Sequence, residues 1–368
     1  MTDSEASGSD CAVPDDLVDW LEEFEGGPIL ASTCGADSDD EADAAKFRPA
    51  PHEIALAADG WAEAAGHSLS HNGFCTLLMG ADGTPPVPAA LCERCRTAAE
   101  ARLDALLARA RARGLNPRRE KLLFRDICSR TAGGLRYDMK YPMCSVAASS
   151  DADTSPDAVP DDDEVAAAWA ELRSAVERWV APVLQASGLM RADEKVLGED
   201  ETGGGGGGGG RGVGGCDGGI SNASASAHEI DSVGCVTSLS GAPDQHFHPD
   251  GTARGLVNVF VPLIDVGALN GATELRPGSH VWEQTPWGPA QRWDERTTQP
   301  VAPALHAGEL LLFDYRVLHR GRANASGAAR PVAYVLFARP GVRDDHNFAQ
   351  EYEVLLPRSA SEGGAAVC

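Results

Sequence analysis

The run Gln245-His246-Phe247-His248-Pro249-Asp250-Gly251 gathers several side chains able to bind a metal. On a strand, residues i and i+2 point to one side, so His248 and Asp250 can offer an imidazole and a carboxylate to the same ion. His246 stands in the same relation to His248, which leaves a His-x-His pair open as well. Pro249 and Gly251 also suit an ordinary turn. Two histidines and one carboxylate on one face of an iron leave positions free for a co-substrate and oxygen. A further histidine lies about seventy residues on, where Glu309 to Leu318 reads as an apolar strand ending at His319. The turn-forming run Arg322–Ala329 and a second apolar run, Arg330–Ala338, follow. Strand, turn and strand predict a hairpin that returns Arg330 to the neighbourhood of His319. A guanidinium there could hold the far carboxylate of a dicarboxylate co-substrate, bidentately and without losing its charge. Pairing with a structural carboxylate is the plainer alternative.

Four segments then carry a resemblance. They are Ser240–Gln245 leading into His248–Gly251; Asn270–Thr273 with Pro277–His280; Gly308-Glu309 with Phe313 and His319–Gly321; and Asn324 through Arg330-Pro331. In this order, with eleven residues from His319 to Arg330, the chain resembles the phytanoyl-CoA dioxygenase-like family of iron(II)/2-oxoglutarate-dependent oxygenases. The likeness is sharp over roughly 230–340 and looser over 53–198, where Gly73–Leu78 resembles the family's first strand and Arg136–Met139 a segment of some relatives.

The resemblance implies iron held by His248, Asp250 and His319. It also implies 2-oxoglutarate with its distal carboxylate on Arg330, and oxygen as co-substrate, with ascorbate an optional reductant. Gln245 and Asn258 are the expected co-substrate contacts, with Phe260 and Thr273 as softer pocket positions. The implied reaction oxidises a C–H bond of a small-molecule or lipid-like substrate and releases succinate and carbon dioxide. Related halogenases carry a small residue at the carboxylate position, so Asp250 favours hydroxylation. Gly321 stands where some relatives have a serine or threonine. Two rivals stay in view: a cupin-like metal protein or non-oxidative enzyme that uses His246, and an inactive scaffold whose acidic tails recruit partners.

The elements that must position these residues divide along the chain. Helices are expected over 53–66, 92–112 and 164–187. In the last, Val165, Trp169, Leu172, Val176, Trp179 and Val183 form one apolar face, and Pro182 should kink or end it. Strands are expected at 73–79, 233–239, 255–264, 272–275, 309–314 and 332–338. That segregation predicts an α+β fold: a double-stranded β-helix (jelly-roll, cupin-like) core with helices packed on one sheet.

The net charge of −24 is local. Residues 1–45 hold fourteen acids and residues 151–164 seven more, with no Lys or Arg in either stretch. Such blocks read as solvating and argue against nucleic acid, which needs a basic footprint. A disordered acidic tail (1–50) is therefore expected before one oxygenase domain (51–355). That domain would carry a flexible acidic loop near 149–163 and a glycine-rich insertion near 199–219, with a tail over 356–368. Leu17, Trp20, Leu21 and Phe24 have helical spacing in the first tail, with unknown protein partners. Gly203–Gly210 lacks the Lys-Ser or Lys-Thr step of a phosphate loop and reads as a linker. Cys92-x-x-Cys95 lacks a second pair for zinc and reads as helix packing. Trp282, Trp287 and Trp293 could wall a substrate loop. Ten scattered cysteines, no signal peptide and no membrane-length apolar run predict a reduced, cytoplasmic protein.

Overall fold

The computed structural model describes residues 49–131, 133–141, 162–191, 228–281, 284–285, 288–289, 299–344, 348 and 352–356. Outside them lie the acidic N-terminal tail with its Leu17–Phe24 patch, loop residues 149–161, the insertion at 199–219, the last twelve residues, and Trp282, Trp287 and Trp293.

Three helices are described: α1 (Trp61–Asn72), α2 (Ala89–Ala112) and α3 (Asp162–Ser187). Twelve strands accompany them: β1 (Glu53–Ala55), β2 (Phe74–Leu78), β3 (Ile127–Ser129), β4 (Arg136–Tyr141), β5 (Glu229–Ser238) and β6 (Leu256–Pro262), then β7 (Thr273–Leu275), β8 (Gln284–Thr285), β9 (Gly288–Pro289), β10 (Leu310–Asp314), β11 (His319–Gly321) and β12 (Arg330–Ala338). Eight of them form one mixed sheet in the order β1-β2-β10-β6-β12-β5-β4-β3. Only its edge pair β1–β2 is parallel. β7 and β11 make a separate small sheet, and β8 and β9 another. The fold is α+β with a large mixed sheet, which does not close into a barrel among the described residues.

The period-two pattern of the strands sorts the two faces of the large sheet. Tyr137, Met139 and Tyr141 of β4, Val257, Val259 and Val261 of β6, Leu310 and Leu312 of β10, and Ala333, Val335 and Phe337 of β12 join one apolar cluster. Leu69 of α1, Leu103 and Leu106 of α2, and Leu172, Val176 and Val183 of α3 complete it. The three helices therefore cover that face. The alternate residues, among them Arg136, Asp138, Ser238, Asn258, Phe260, Phe313, Arg330 and Tyr334, belong to the opposite face. Every catalytic candidate on the large sheet lies there.

Several expectations are corrected. Residues 53–66 are not one helix: Glu53–Ala55 pairs in parallel with β2, and α1 begins only after Gly60, whose left-handed backbone (φ 71°) breaks the chain direction. Pro182 neither ends nor splits α3, which runs on to Ser187. Its missing N–H removes one helical bond near the C-terminal end, while Val180, Val183 and Leu184 bury themselves on either side. Cys92 and Cys95 are buried free thiols within α2, as helix packing requires.

The expected hairpin is replaced by a different path. The chain turns at Asp314, whose carboxylate accepts from the Arg316 backbone N–H (2.9 Å) and from its guanidinium (2.9 and 2.8 Å). This lifts the next strand, β11, out of the large sheet and onto β7. β12 returns to the large sheet beside β6 and β5, so β6 separates it from β10. An acid and a base two residues apart can knot a turn within a run that otherwise reads as strand.

Gly234 of β5 lies under the Tyr334 ring. A Cβ there would collide with Cζ and the hydroxyl of Tyr334 and with the Met139 carbonyl, whereas nothing lies within 4 Å of a Cβ at Gly327. We expect Gly234→Ala to lower the unfolding free energy by about 1–3 kcal/mol and Gly327→Ala to leave it nearly unchanged. Urea denaturation of both variants checks this.

Candidate metal centre

His248, Asp250 and His319 come together: one ligand atom from each lies within 4.8 Å of the others. Reciprocal backbone hydrogen bonds pair the two histidines across an antiparallel bridge, His248 N to His319 O and His319 N to His248 O, both 3.0 Å. Their rings stand 4.8 Å apart, centroid to centroid. The Asp250 N–H donates to the Tyr315 carbonyl (3.0 Å), so the Asp314–Arg316 turn that delivers His319 also fixes Asp250.

The orientation of each ligand is set from behind. His248 Nδ1 lies 2.8 Å from the His246 carbonyl, and His319 Nδ1 lies 3.0 Å from the Val317 carbonyl. Both imidazoles thus donate through Nδ1 and keep the Nε2 lone pair for a ligand. His319 Nε2 is 3.6 Å from Asp250 Oδ1. The other carboxylate oxygen, Oδ2, accepts from Asn258 Nδ2 at 2.5 Å. Burial, and then the neighbouring His319, push the His248 pKa down to about 4, against the pull of Asp250. A neutral imidazole is the metal-binding form. Two nitrogens and one carboxylate oxygen, each braced by a second contact, suit a divalent ion that keeps open positions.

His246 is exposed and outside this set; it contributes its carbonyl to His248 rather than its ring to the ion. Gln245 is also differently engaged from what was expected. Its Oε1 accepts from the Gly321 N–H (3.0 Å) and its Nε2 donates to the Arg130 carbonyl (3.3 Å), so it ties together the two ligand-bearing segments. Asn258 likewise braces Asp250. Phe260 shares the face of Asn258 and packs edge-on against Phe313, 4.8 Å between centroids, in the apolar wall beside His319.

Arg330 is buried, with Nη1 on the Gly271 carbonyl (2.6 Å) and Nη2 on Ser238 Oγ (2.7 Å). Its Nε has no acceptor, and among the described residues no carboxylate pairs with it. Burial pulls its pKa down to about 10. A buried guanidinium without a counter-charge is costly unless something else supplies one.

Sequence reasoning missed four residues here: Ser238, Arg136 as more than part of a resemblance, and the ion pair of Arg130 and Asp138 (2.5 Å). The signal for two of them was the alternation of Arg136-Tyr137-Asp138-Met139-Lys140-Tyr141, which puts charges on one side of a strand and rings and methionine on the other.

Residues 231–332 match the family model described as phytanoyl-CoA dioxygenase. Over this segment the chain is similar to the phytanoyl-CoA dioxygenase family. A dioxygenase of Alternaria alternata, ALT11, is 29% identical over 122 residues, which is 32% of this chain and 37% of that protein. The dioxygenase aneA of Aspergillus aculeatus is 35% identical over 89 residues, 22% of this chain and 26% of its own. The chain thus matches about a third or less of the length of these relatives. Among solved structures, AviO1 from Streptomyces viridochromogenes aligns over 76% of this chain and 96% of its own, at 15% identity and a TM-score of 0.42. The matched segment spans His248, Asp250, His319 and Arg330.

Because Asn258 holds the Asp250 carboxylate, Asn258→Ala should weaken Co(II) or Fe(II) binding by about 10–100-fold with the fold retained, the usual effect of losing an outer partner. A chelator-competition titration measures it, and unchanged affinity would show that Asp250 needs no such brace.

Proposed function

We propose that the protein is an iron(II)/2-oxoglutarate-dependent dioxygenase that hydroxylates a C–H bond of a small-molecule substrate. One observation carries the reading: two histidines and a carboxylate converge with open Nε2 atoms on the same sheet face as a buried arginine that, among the described residues, no carboxylate neutralises. The dioxygenase relatives and the family segment support it. In this reading His248, Asp250 and His319 hold the iron, and Arg330 receives the distal carboxylate of 2-oxoglutarate. We further read the large sheet, faced by the β7–β11 pair, as a jelly-roll of the cupin-like kind.

When bound, iron with 2-oxoglutarate and oxygen couples decarboxylation of the oxo acid to oxidation of the substrate, giving succinate and carbon dioxide; ascorbate would keep the iron reduced. The chain's own residues then have limited, definite tasks. The backbone acceptors behind each Nδ1 keep both imidazoles in the coordinating tautomer. Asn258 turns Asp250 toward the ion. Arg330 would hold the distal carboxylate and so orient the co-substrate. Phe74, Leu311, Phe313 and Val317 line an apolar patch that keeps bulk water from this side of the site. An acid at 250 fills the position that a halide would need, so hydroxylation is the outcome assigned. Among the described residues no helix is long and apolar enough to cross a membrane.

Anaerobic Fe(II) with 2-oxoglutarate should give a visible charge-transfer band, which a non-oxidative metal protein or an inactive scaffold would lack. Asp250→Ala should abolish succinate formed without added substrate; undiminished succinate would refute the ligand assignment. Arg330→Leu should weaken 2-oxoglutarate binding by at least about tenfold, the loss of a charge-assisted pair, while iron still binds. Equal affinity in a titration would remove Arg330 from this role.

A further inference from the structure

Arg136 is the largest fully enclosed side chain among the described residues. If only volume mattered, an apolar residue would fill its place. Instead its guanidinium donates to Ser238 Oγ (2.7 Å) and to the carbonyls of Gly321 (3.2 Å), Arg322 (2.9 Å) and Pro243 (3.2 Å). All four acceptors are neutral. They come from three places: the end of β5 beside Arg330, the residues just past His319, and the segment leading to His248. Asp244, an acid whose charge acts on Arg136, is exposed and accepts from the Ala323 N–H (2.6 Å).

Ser238 Oγ also accepts from Arg330 Nη2 at 2.7 Å. One hydroxyl therefore stands between two buried guanidiniums. With its lone pairs turned to two donors, its own hydrogen must point elsewhere. Burial, and then repulsion from Arg330, lower the Arg136 pKa to about 9, with Asp244 opposing weakly. Gly321 makes the arrangement sterically feasible, because a Cβ there would sit 2.8 Å from Gln245 Oε1 and 3.0 Å from Cζ and Nη1 of Arg136.

We infer that Arg136 is a positioning residue for the distal carboxylate of the co-substrate, acting through Ser238 and Arg330, and that it makes the site select a dicarboxylate over a monocarboxylate 2-oxo acid. The inference rests on the reading of this site as a 2-oxoglutarate site. Ser238, held by Arg136, fixes the Nη2 edge of Arg330, and Gly271 fixes Nη1. The second buried cation adds its field at the same end of the pocket, where low dielectric strengthens it. Among the described residues neither guanidinium has a carboxylate hydrogen-bonded to it. A 2-oxo acid ending in a methyl group leaves both charges uncompensated, so its exclusion follows from the same geometry. The ties to Pro243, Gly321 and Arg322 also connect co-substrate occupancy to the two segments that bear the metal ligands.

The test compares 2-oxoglutarate with 2-oxopentanoate, which replaces the distal carboxylate by a methyl group, in anaerobic Fe(II) titrations of the charge-transfer band. Wild type should favour 2-oxoglutarate strongly, and Arg136→Met should cut that preference at least about tenfold, as loss of a hydrogen-bonded charge predicts. Arg136→Lys should restore part of it. A purely structural role would weaken both acids alike and leave their ratio unchanged. Metal-free protein gives a second readout: 2-oxoglutarate should raise the Tm of wild type more than 2-oxopentanoate does, and Arg136→Met should erase that difference. Should Arg136→Met fail to fold, Ser238→Ala carries the same comparison. An unaltered ratio in the folded variant overturns the inference alone, whereas wild type giving no band with either acid overturns the functional reading with it.

Discussion

The reciprocal hydrogen bonds between His248 and His319 are the constraint on which the site depends. They join two segments far apart in the chain into one short antiparallel contact and set both imidazoles side by side. Asp250 follows within two residues and is caught by the Tyr315 carbonyl. Ligand geometry is thus a backbone property before it is a side-chain one. The Asp314–Arg316 knot makes this contact reachable, because it turns the chain out of the large sheet just before His319. A straight continuation of β10 would leave the second histidine in the wrong layer.

The large sheet separates two demands that conflict at any one residue. Its helix-facing side is apolar and supplies cohesion, since burial of aliphatic and aromatic surface is the main favourable term in folding. Its other side carries arginines, carboxylates and amides that would be costly in such a core. Strand alternation lets one segment serve both: in β4, Tyr137 and Met139 face the helices while Arg136 and Asp138 face the site. The stability of the helix layer lets the polar face hold partly uncompensated charge.

Much of this was legible in the sequence, for identifiable reasons. The candidate ligands and Arg330 were singled out by the family resemblance, whereas residue types and spacing alone left His246 as an alternative; strand alternation marks most of the core. What the sequence hides is pairing between distant segments. A run from Glu309 to His319 reads as one strand because its apolar residues outnumber the acid and base that knot it. Residues 53–66 read as a helix because alanines and acids dominate, yet the edge of β2 offers free hydrogen-bonding groups, and Glu53–Ala55 takes them. Gln245 and Asn258 were expected to contact the co-substrate, and the structure shows them bonded to protein groups beside the candidate ligands. Their partners, Gly321, Arg130 and Asp250, are decided by tertiary geometry, and so their task of bracing ligands was not readable.

Charge on the site face explains why these features belong together. Arg130 is matched by Asp138. Asp250 turns toward the two histidines, where a divalent ion would more than offset its charge. Among the described residues, Arg136 and Arg330 donate to carbonyls and one hydroxyl. With an ion bound, positive charge on this face would exceed negative both at the three candidate ligands and at the arginine pair. A ligand with a single carboxylate can satisfy one end only. In the proposed function, a dicarboxylate would answer both. The same imbalance disfavours cationic compounds in the co-substrate position. In that proposal, selectivity for the co-substrate would arise from what the fold leaves uncompensated as much as from the contacts it provides.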